Sequence, residues 1–173
     1  MKRPPSARPR SLLGFIAALA AGVSCSAAGT QRATRDPIVI QQAVAPAPVV
    51  AGDTDSASMA VYFSIRNAAD VPDTLVAAES PSARSAGLHE EMRRDGAMMM
   101  MMPAARLPIP PHGAAQLAPG GVHLMLDGLR PIARAGDTIL VALTFAHAGR
   151  LSIRVPVVRY DQLDSARDAG RVK

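Results

Sequence analysis

The sequence predicts an all-β protein, an antiparallel sandwich or barrel, and three observations lead there. Short apolar runs recur from Ser58 onward, each closed by Pro- or Gly-rich punctuation. The run RLSIRVPVV sets Leu151, Ile153, Val155 and Val157 against polar or small neighbours, the period of two that a half-buried strand requires. Pro108, Pro110 and Pro111 argue against a helix in the middle of the chain, because proline lacks the amide hydrogen and clashes with the preceding turn.

The first 28 residues read as a targeting segment. A basic start (Lys2, Arg3, Arg8, Arg10) precedes the apolar SLLGFIAALAAGVS and the small residues of SCSAAGT, the three parts of a secretory signal peptide. The apolar run is short of the ~20 residues that span a bilayer. Cleavage after Ala28 is the favoured reading and would remove Cys25, the only cysteine. The competing reading is a lipoprotein signal in which Cys25 is acylated, although Gly22 stands where such signals usually have Leu. Neither reading leaves an intrachain disulfide or a multi-cysteine zinc site.

The signal also explains the charge. The formal net charge of +5 first suggests a nucleic-acid or membrane partner. All four basic residues of the signal lie in a stretch without acids, and removing them leaves 15 basic against 14 acidic residues. The mature chain is nearly neutral, so nucleic acid is not an expected partner and no transmembrane span is expected in it.

Residues 29–57 are polar and Pro/Ala-rich, with one β-like run at Pro37–Gln41. The β-domain is expected over 58–158. Its strand-like runs are SMAVYFSIRN, DTLVAA, AGLHEEM, TILVALTFA and RLSIRVPVV, with AHAG (146–149) as a hairpin turn and PIPPHG and LAPGG as turn clusters. Pro156 places the last strand at an edge or near its end. The charged tail 159–173 reads as frayed or as a short helix.

Five of the nine methionines form one row, Met98 to Met102. Thioethers fill irregular cores, but they also bind soft metals. In GGVHLMLDGL, His123 and Met125 are two apart in a strand, hence on one face and ~6.6 Å apart at Cα. Upstream, LHEEMRRDGAMMM reads as a hairpin with Arg93–Gly96 as its loop; pairing Met92 with Ala97 sets His89 opposite Met100. Two imidazoles and two thioethers form an uncharged, soft set that suits Cu(I) better than Mg, Ca or structural Zn. Without a mature thiolate, a blue-copper centre is not expected.

HEE before a Gly and a Met cluster, then LPIPPHG, LAPGGVHLMLDGL and a closing pair of strands, resemble the periplasmic PCuAC copper chaperones over about residues 58–158. That family has an H-x10-M-x21-H-x-M signature on a cupredoxin-like Greek-key β-barrel and is associated with supplying copper to the CuA centre of cytochrome c oxidase. The resemblance implies that His89, His123, Met125 and one methionine of the run hold Cu(I). It implies a periplasmic chaperone, not an enzyme, with an apo CuA domain or an assembly thiol protein as acceptor. This chain departs from the signature by one residue. Ten residues separate His89 from Met100, whereas twenty-one separate Met101 from His123. Neighbours on a strand face opposite ways, so Met100 and Met101 cannot both serve without a bulge; the hairpin reading favours Met100.

Other readings of these residues are blander. Met98 and Met102 read as packing or an apolar rim, Met59 and Met92 as core or filler, and His112 and His147 as surface histidines. Glu90, Glu91 and Asp95 read as solvated surface rather than an acid–base pair, and no hydrolase, phosphate-loop or cofactor fingerprint occurs. Beside the chaperone stand two other classes: an envelope copper-sequestering protein with the same ligands, and a β-sandwich interaction module whose methionines are adhesive.

Overall fold

A computed structural model describes residues 37–48, 57–94 and 98–169, with backbone alone for 92–94 and 98–100. The signal segment with Cys25, most of 29–57, the loop residues 95–97 and the last four residues lie outside the described residues. Among the described residues ten strands occur: β1 (Ile38–Pro46), β2 (Ser58–Asn67), β3 (Asp73–Glu79), β4 (Ser85–Arg94), β5 (Met98–Ala104), β6 (Leu107–Ile109), β7 (Ala114–Leu117), β8 (Val122–Asp127), β9 (Thr138–Phe145) and β10 (Gly149–Val158). A 3-10 turn (Tyr160–Gln162) and one helix, α1 (Leu163–Ala169), follow.

The strands form one sheet in the order β5-β4-β8-β2-β1-β10-β9-β3-β6, with β7 beside β2. The two outermost strands, β5 and β6, are consecutive in the chain and joined by Ala105 and Arg106 alone. The sheet therefore curls back toward itself as a nearly closed barrel, and the all-β expectation holds. Alternation builds its interior: along β2, Met59, Val61, Phe63, Ile65 and Asn67 are buried while Ser58 and Arg66 are exposed. Phe63, Leu75, Ile109, Leu117, Leu124, Leu126 and Leu143 are all within 2% of complete burial. Each such side chain contributes about 1.5–3 kcal/mol relative to an exposed one, so aliphatic volume replaces the tryptophan the chain lacks.

Two segments are more structured than the sequence suggests. β1 runs to Pro46 and pairs antiparallel with β2 and parallel with β10, so the β-unit begins at Ile38 and not at the composition shift near Ser58. Its register shifts between Gln41 and Val44, where Gln42 takes a left-handed φ of 58°. This bulge lets one strand serve two neighbours. Val44 and Ala45, past the bulge, are completely buried at 1% and 0% exposure. The tail is docked: Leu163 of α1 is buried, and the Gln42 side-chain amide donates to the Arg167 carbonyl at 3.0 Å.

The β9–β10 turn forms where AHAG predicts it, with Gly149 at φ 79°. Buried Asp73 braces it by accepting the His147 and Ala148 N–H groups, both at 2.9 Å.

Candidate metal centre

β8 lies between β4 and β2, and its register with both is set by leucines. Leu124 pairs with Val61 on one side and Leu88 on the other, and Leu124 and Leu126 are completely buried in the barrel. Period-two alternation then turns His123 and Met125 to the outer face. On β4, Leu88 faces the core and His89 faces out, directly paired with His123. The two rings meet edge to face with centroids 6.1 Å apart. Gly87 pairs with Met125; a Cβ there would stand 3.8 Å from His89 Nε2, in ordinary van der Waals contact, so its missing side chain leaves room beside that imidazole.

The protonation pattern of this pair is informative. His123 Nδ1 lies 3.1 Å from the Gly121 carbonyl, which makes Nδ1–H the donor and leaves the Nε2 lone pair free. Gly121 O also accepts the Glu91 amide at 3.3 Å, which ties β4 to β8 beside the ring. Among the described residues, His123 Nε2 and His89 Nδ1 are both buried without a hydrogen-bond partner. An unsatisfied buried polar atom costs about 1–3 kcal/mol, so two on directly paired residues suit a shared ligand. A metal ion held by two neutral imidazoles, with the His123 ring oriented by its bond to the Gly121 carbonyl, fits them. Among the described residues no three His, Cys, Asp or Glu side chains gather to hold a metal. Met125 lies on the same face.

β5 carries the methionine row, and here the hairpin expectation is corrected. The hairpin does not pair Met92 with Ala97. Its register is Leu88↔Ala104, His89↔Pro103, Glu91↔Met101, Met92↔Met100 and Arg94↔Met98, so Arg93 and Arg94 stay in the strand and the loop has three residues. His89 therefore does not face Met100. The register is held at the base: buried Leu88 faces half-buried Ala104, and β5 continues through two residues into β6, whose Leu107 pairs with Leu75. A shift of three is odd, and an odd shift exchanges faces. Met101 thus shares a ladder face with Glu91 and His89, and Met100 is one position out of step. The Met101 side chain is 55% exposed and that of Met102 49%.

An outer layer escaped sequence reasoning. Tyr62 on β2 places its ring 6.4 Å from that of His123, and the Arg167 guanidinium lies 6.0 Å over the Tyr62 centroid. Burial pushes the Tyr62 phenol up; Glu91 and Tyr160 push the same way, and Arg167 opposes them. Glu91, read as plain surface, is instead half-buried beside this cluster, whereas Glu90 is exposed. Alternation along SMAVYFSIRN turns Tyr62 away from the core, but no local signal pairs β2 with β8. The two remaining histidines are placed as expected: His112 is exposed and bonds Asp70 at 2.8 Å, and His147 caps an exposed turn. Met59 is core, at 2% exposure.

Comparisons with known proteins bear on the family and the fold. Residues 38–157 match the family described as "Putative lipoprotein LpqE-like". A curated relative, "Putative lipoprotein Lxx21020" from Leifsonia xyli subsp. xyli (strain CTCB07), is 34% identical over 102 residues, 59% of this chain and 61% of that protein. The chain thus spans about three fifths of that relative's length. Among solved structures, the copper-bound PCuAC domain from PmoF2 superposes with a TM-score of 0.58 at 27% identity, covering 71% of this chain and 93% of that one. The Cu(I) form of DR1885 from Deinococcus radiodurans superposes with a TM-score of 0.53 at 29% identity, covering 72% and 80%. The PCuAC resemblance and the cupredoxin-like β fold it implies are those observed.

Proposed function

The chain belongs to the LpqE-like family, and from that membership and the paired imidazoles we propose that it binds one Cu(I) outside the cytoplasm and delivers it. The observation that carries the reading is the pair of buried, unpartnered nitrogens, His89 Nδ1 and His123 Nε2, on directly paired residues of adjacent strands. Met125 and Met101 complete a neutral N2S2 set. Its thioethers favour Cu(I), and the absence of a thiolate leaves the ion easy to give up. The copper-bound PCuAC neighbours support this choice of metal.

Delivery is favoured over storage by where the sulfur sits. The exposed Met101 is on the sheet's outermost strand, so an acceptor's cysteine can reach the ion from that side while both imidazoles still hold it. The acceptor suggested by the family resemblance is the CuA domain of cytochrome c oxidase or an assembly thiol protein. The protein acts as a carrier, with copper as its cargo and no chemical turnover. Titration with Cu(I) against a colorimetric chelator is expected to give one ion per chain, and X-ray absorption to show nitrogen and sulfur scatterers. Oxygen and nitrogen alone, or a preference for Zn(II), would refute it. Mixing the loaded protein with an apo CuA domain then separates the remaining classes: retention of copper, with normal oxidase activity in a deletion strain, would favour sequestration.

The lipoprotein names of the family and the relative support acylation of Cys25 over cleavage after Ala28. Among the described residues no helix is long and apolar enough to cross a membrane. Intact mass of the exported protein is expected to show a diacylglyceryl-modified chain beginning at Cys25. A lipid-free chain beginning at Gly29 would overturn this and restore simple cleavage.

A further inference from the structure

We propose that Tyr62, braced by Arg167 of the C-terminal helix, is a positioning residue that seals His123 from water and thereby biases the site toward Cu(I) over Cu(II). The proposal rests on the copper reading above and adds a determinant of oxidation state to it.

His123 lies on the outer face of the sheet, yet it is only 2% exposed. The rings found against it are those of His89 at 6.1 Å and Tyr62 at 6.4 Å. The Tyr62 ring is held in turn. Arg167 sits 6.0 Å over its face, at the range of a cation–π contact. The helix that carries Arg167 is fixed by buried Leu163 and by the Gln42 amide donating to the Arg167 carbonyl. Gln42 is fixed too: it occupies the left-handed bulge position, and the Ser64 hydroxyl donates to its side-chain oxygen at 3.2 Å. A continuous set of contacts therefore runs from the chain's last helix to one copper-facing imidazole.

Its chemical effect follows from charge. Cu(II) carries one more positive charge than Cu(I) and gains more from water and hard ligands. A site of neutral donors closed to water offers that extra charge no compensation, so burial disfavours the oxidised ion. Removing the ring admits water beside His123 and relaxes this discrimination. The ring performs the sealing and the hydroxyl does not, so phenylalanine should replace tyrosine.

The test uses the mature protein in two states. In the loaded protein, Tyr62→Ala is expected to raise Cu(II) affinity relative to Cu(I) about tenfold, seen as a fall in copper potential of about 60 mV. Tyr62→Phe should keep the wild-type potential. In the metal-free protein, diethyl pyrocarbonate should modify His123 several times faster in Tyr62→Ala and at the wild-type rate in Tyr62→Phe. An unchanged potential and unchanged reactivity in folded Tyr62→Ala would overturn the proposal, as would a Tyr62→Phe variant that behaves like alanine. Should Tyr62→Ala fail to fold, Arg167→Ala on the surface helix carries the test. A smaller shift of the same sign is expected, and no shift overturns the proposal. Failure of the wild type to bind Cu(I) would sink the copper reading itself, while the metal-free reactivity would still report on the seal.

Discussion

The molecule contains two long antiparallel hairpins, β9–β10 and β4–β5, and they differ in what holds their register. In β9–β10 the pairs Leu151↔Leu143, Ile153↔Val141 and Val155↔Ile139 set apolar residues of both strands on one face. Slipping by one residue would expose that whole face, so the sequence pattern alone determines the pairing. In β4–β5 the partner of β4 is a row of identical methionines followed by Pro103 and Ala104. A row without alternation looks the same in every register. One hairpin carries its register in its own residues; the other takes its register from neighbours.

The largest effect expected from this contrast lies where the methionine hairpin joins the rigid part of the sheet. His89→Ala and His123→Ala should each reduce Cu(I) affinity at least about 100-fold, or ~2.7 kcal/mol. Both residues sit on the outer face, where alanine opens no core cavity, so thermal stability of the metal-free protein should be maintained or improved by loss of the unpartnered nitrogen. A variant that loses copper only because it unfolds would show instead that the pair is structural.

The next effect tests the β9–β10 hairpin. Burial pushes the Asp73 carboxyl up, but the N–H groups of His147, Thr74 and Ala148, with the nearby His147 charge, outweigh it and hold it below its ordinary value. A depressed folded value means that the stabilisation is present above the unfolded value and is lost as pH falls through the folded one. Asp73→Asn should therefore lose less stability than wild type on acidification below about pH 4. Asp73→Ala should cost about 1–2 kcal/mol at neutral pH, because it removes the acceptor of three part-buried N–H groups, and leave Cu(I) affinity unchanged. A parallel loss of copper affinity would show that the two hairpins are coupled.

Much of the fold and part of the site were legible for the same reason. Strands with one buried face announce themselves, so β2, β3, β4, β9 and β10 and the shared face of His123 and Met125 could be read directly. β1 was under-read because Gln42 interrupts its alternation at the bulge, and parallel pairing with β10 has no local signature. Tyr62 and Arg167 were missed because their relation to His123 depends on which strands and tail pack together, information spread over more than 100 residues of chain. Gly87 was read only as part of a strand. Its significance appears once Met125 is known to lie opposite.

The smallest effect discriminates best between the two registers of the methionine row. The loop-based reading, with Arg93–Gly96 as a four-residue turn, puts Met100 opposite His89. The observed ladder puts Met101 on the face of His89 and Met100 opposite Met92. One thioether among the four proposed donors is a weak ligand, and three others would remain when it is lost. Met101→Ala should therefore lower Cu(I) affinity by about tenfold, ~1.4 kcal/mol, with Met100→Ala inside about twofold of wild type. The contrast should sharpen in transfer: Met101 is the exposed sulfur an incoming thiol meets, so its loss should also change the rate at which copper reaches an acceptor. Because the five side chains are chemically identical, any difference between the two alanine variants reports register alone. The reverse order would mean that the hairpin slips by an odd number of residues when it closes on the ion. It would also make the methionine row an adjustable element, in which several registers can each bring one sulfur to the same pair of imidazoles.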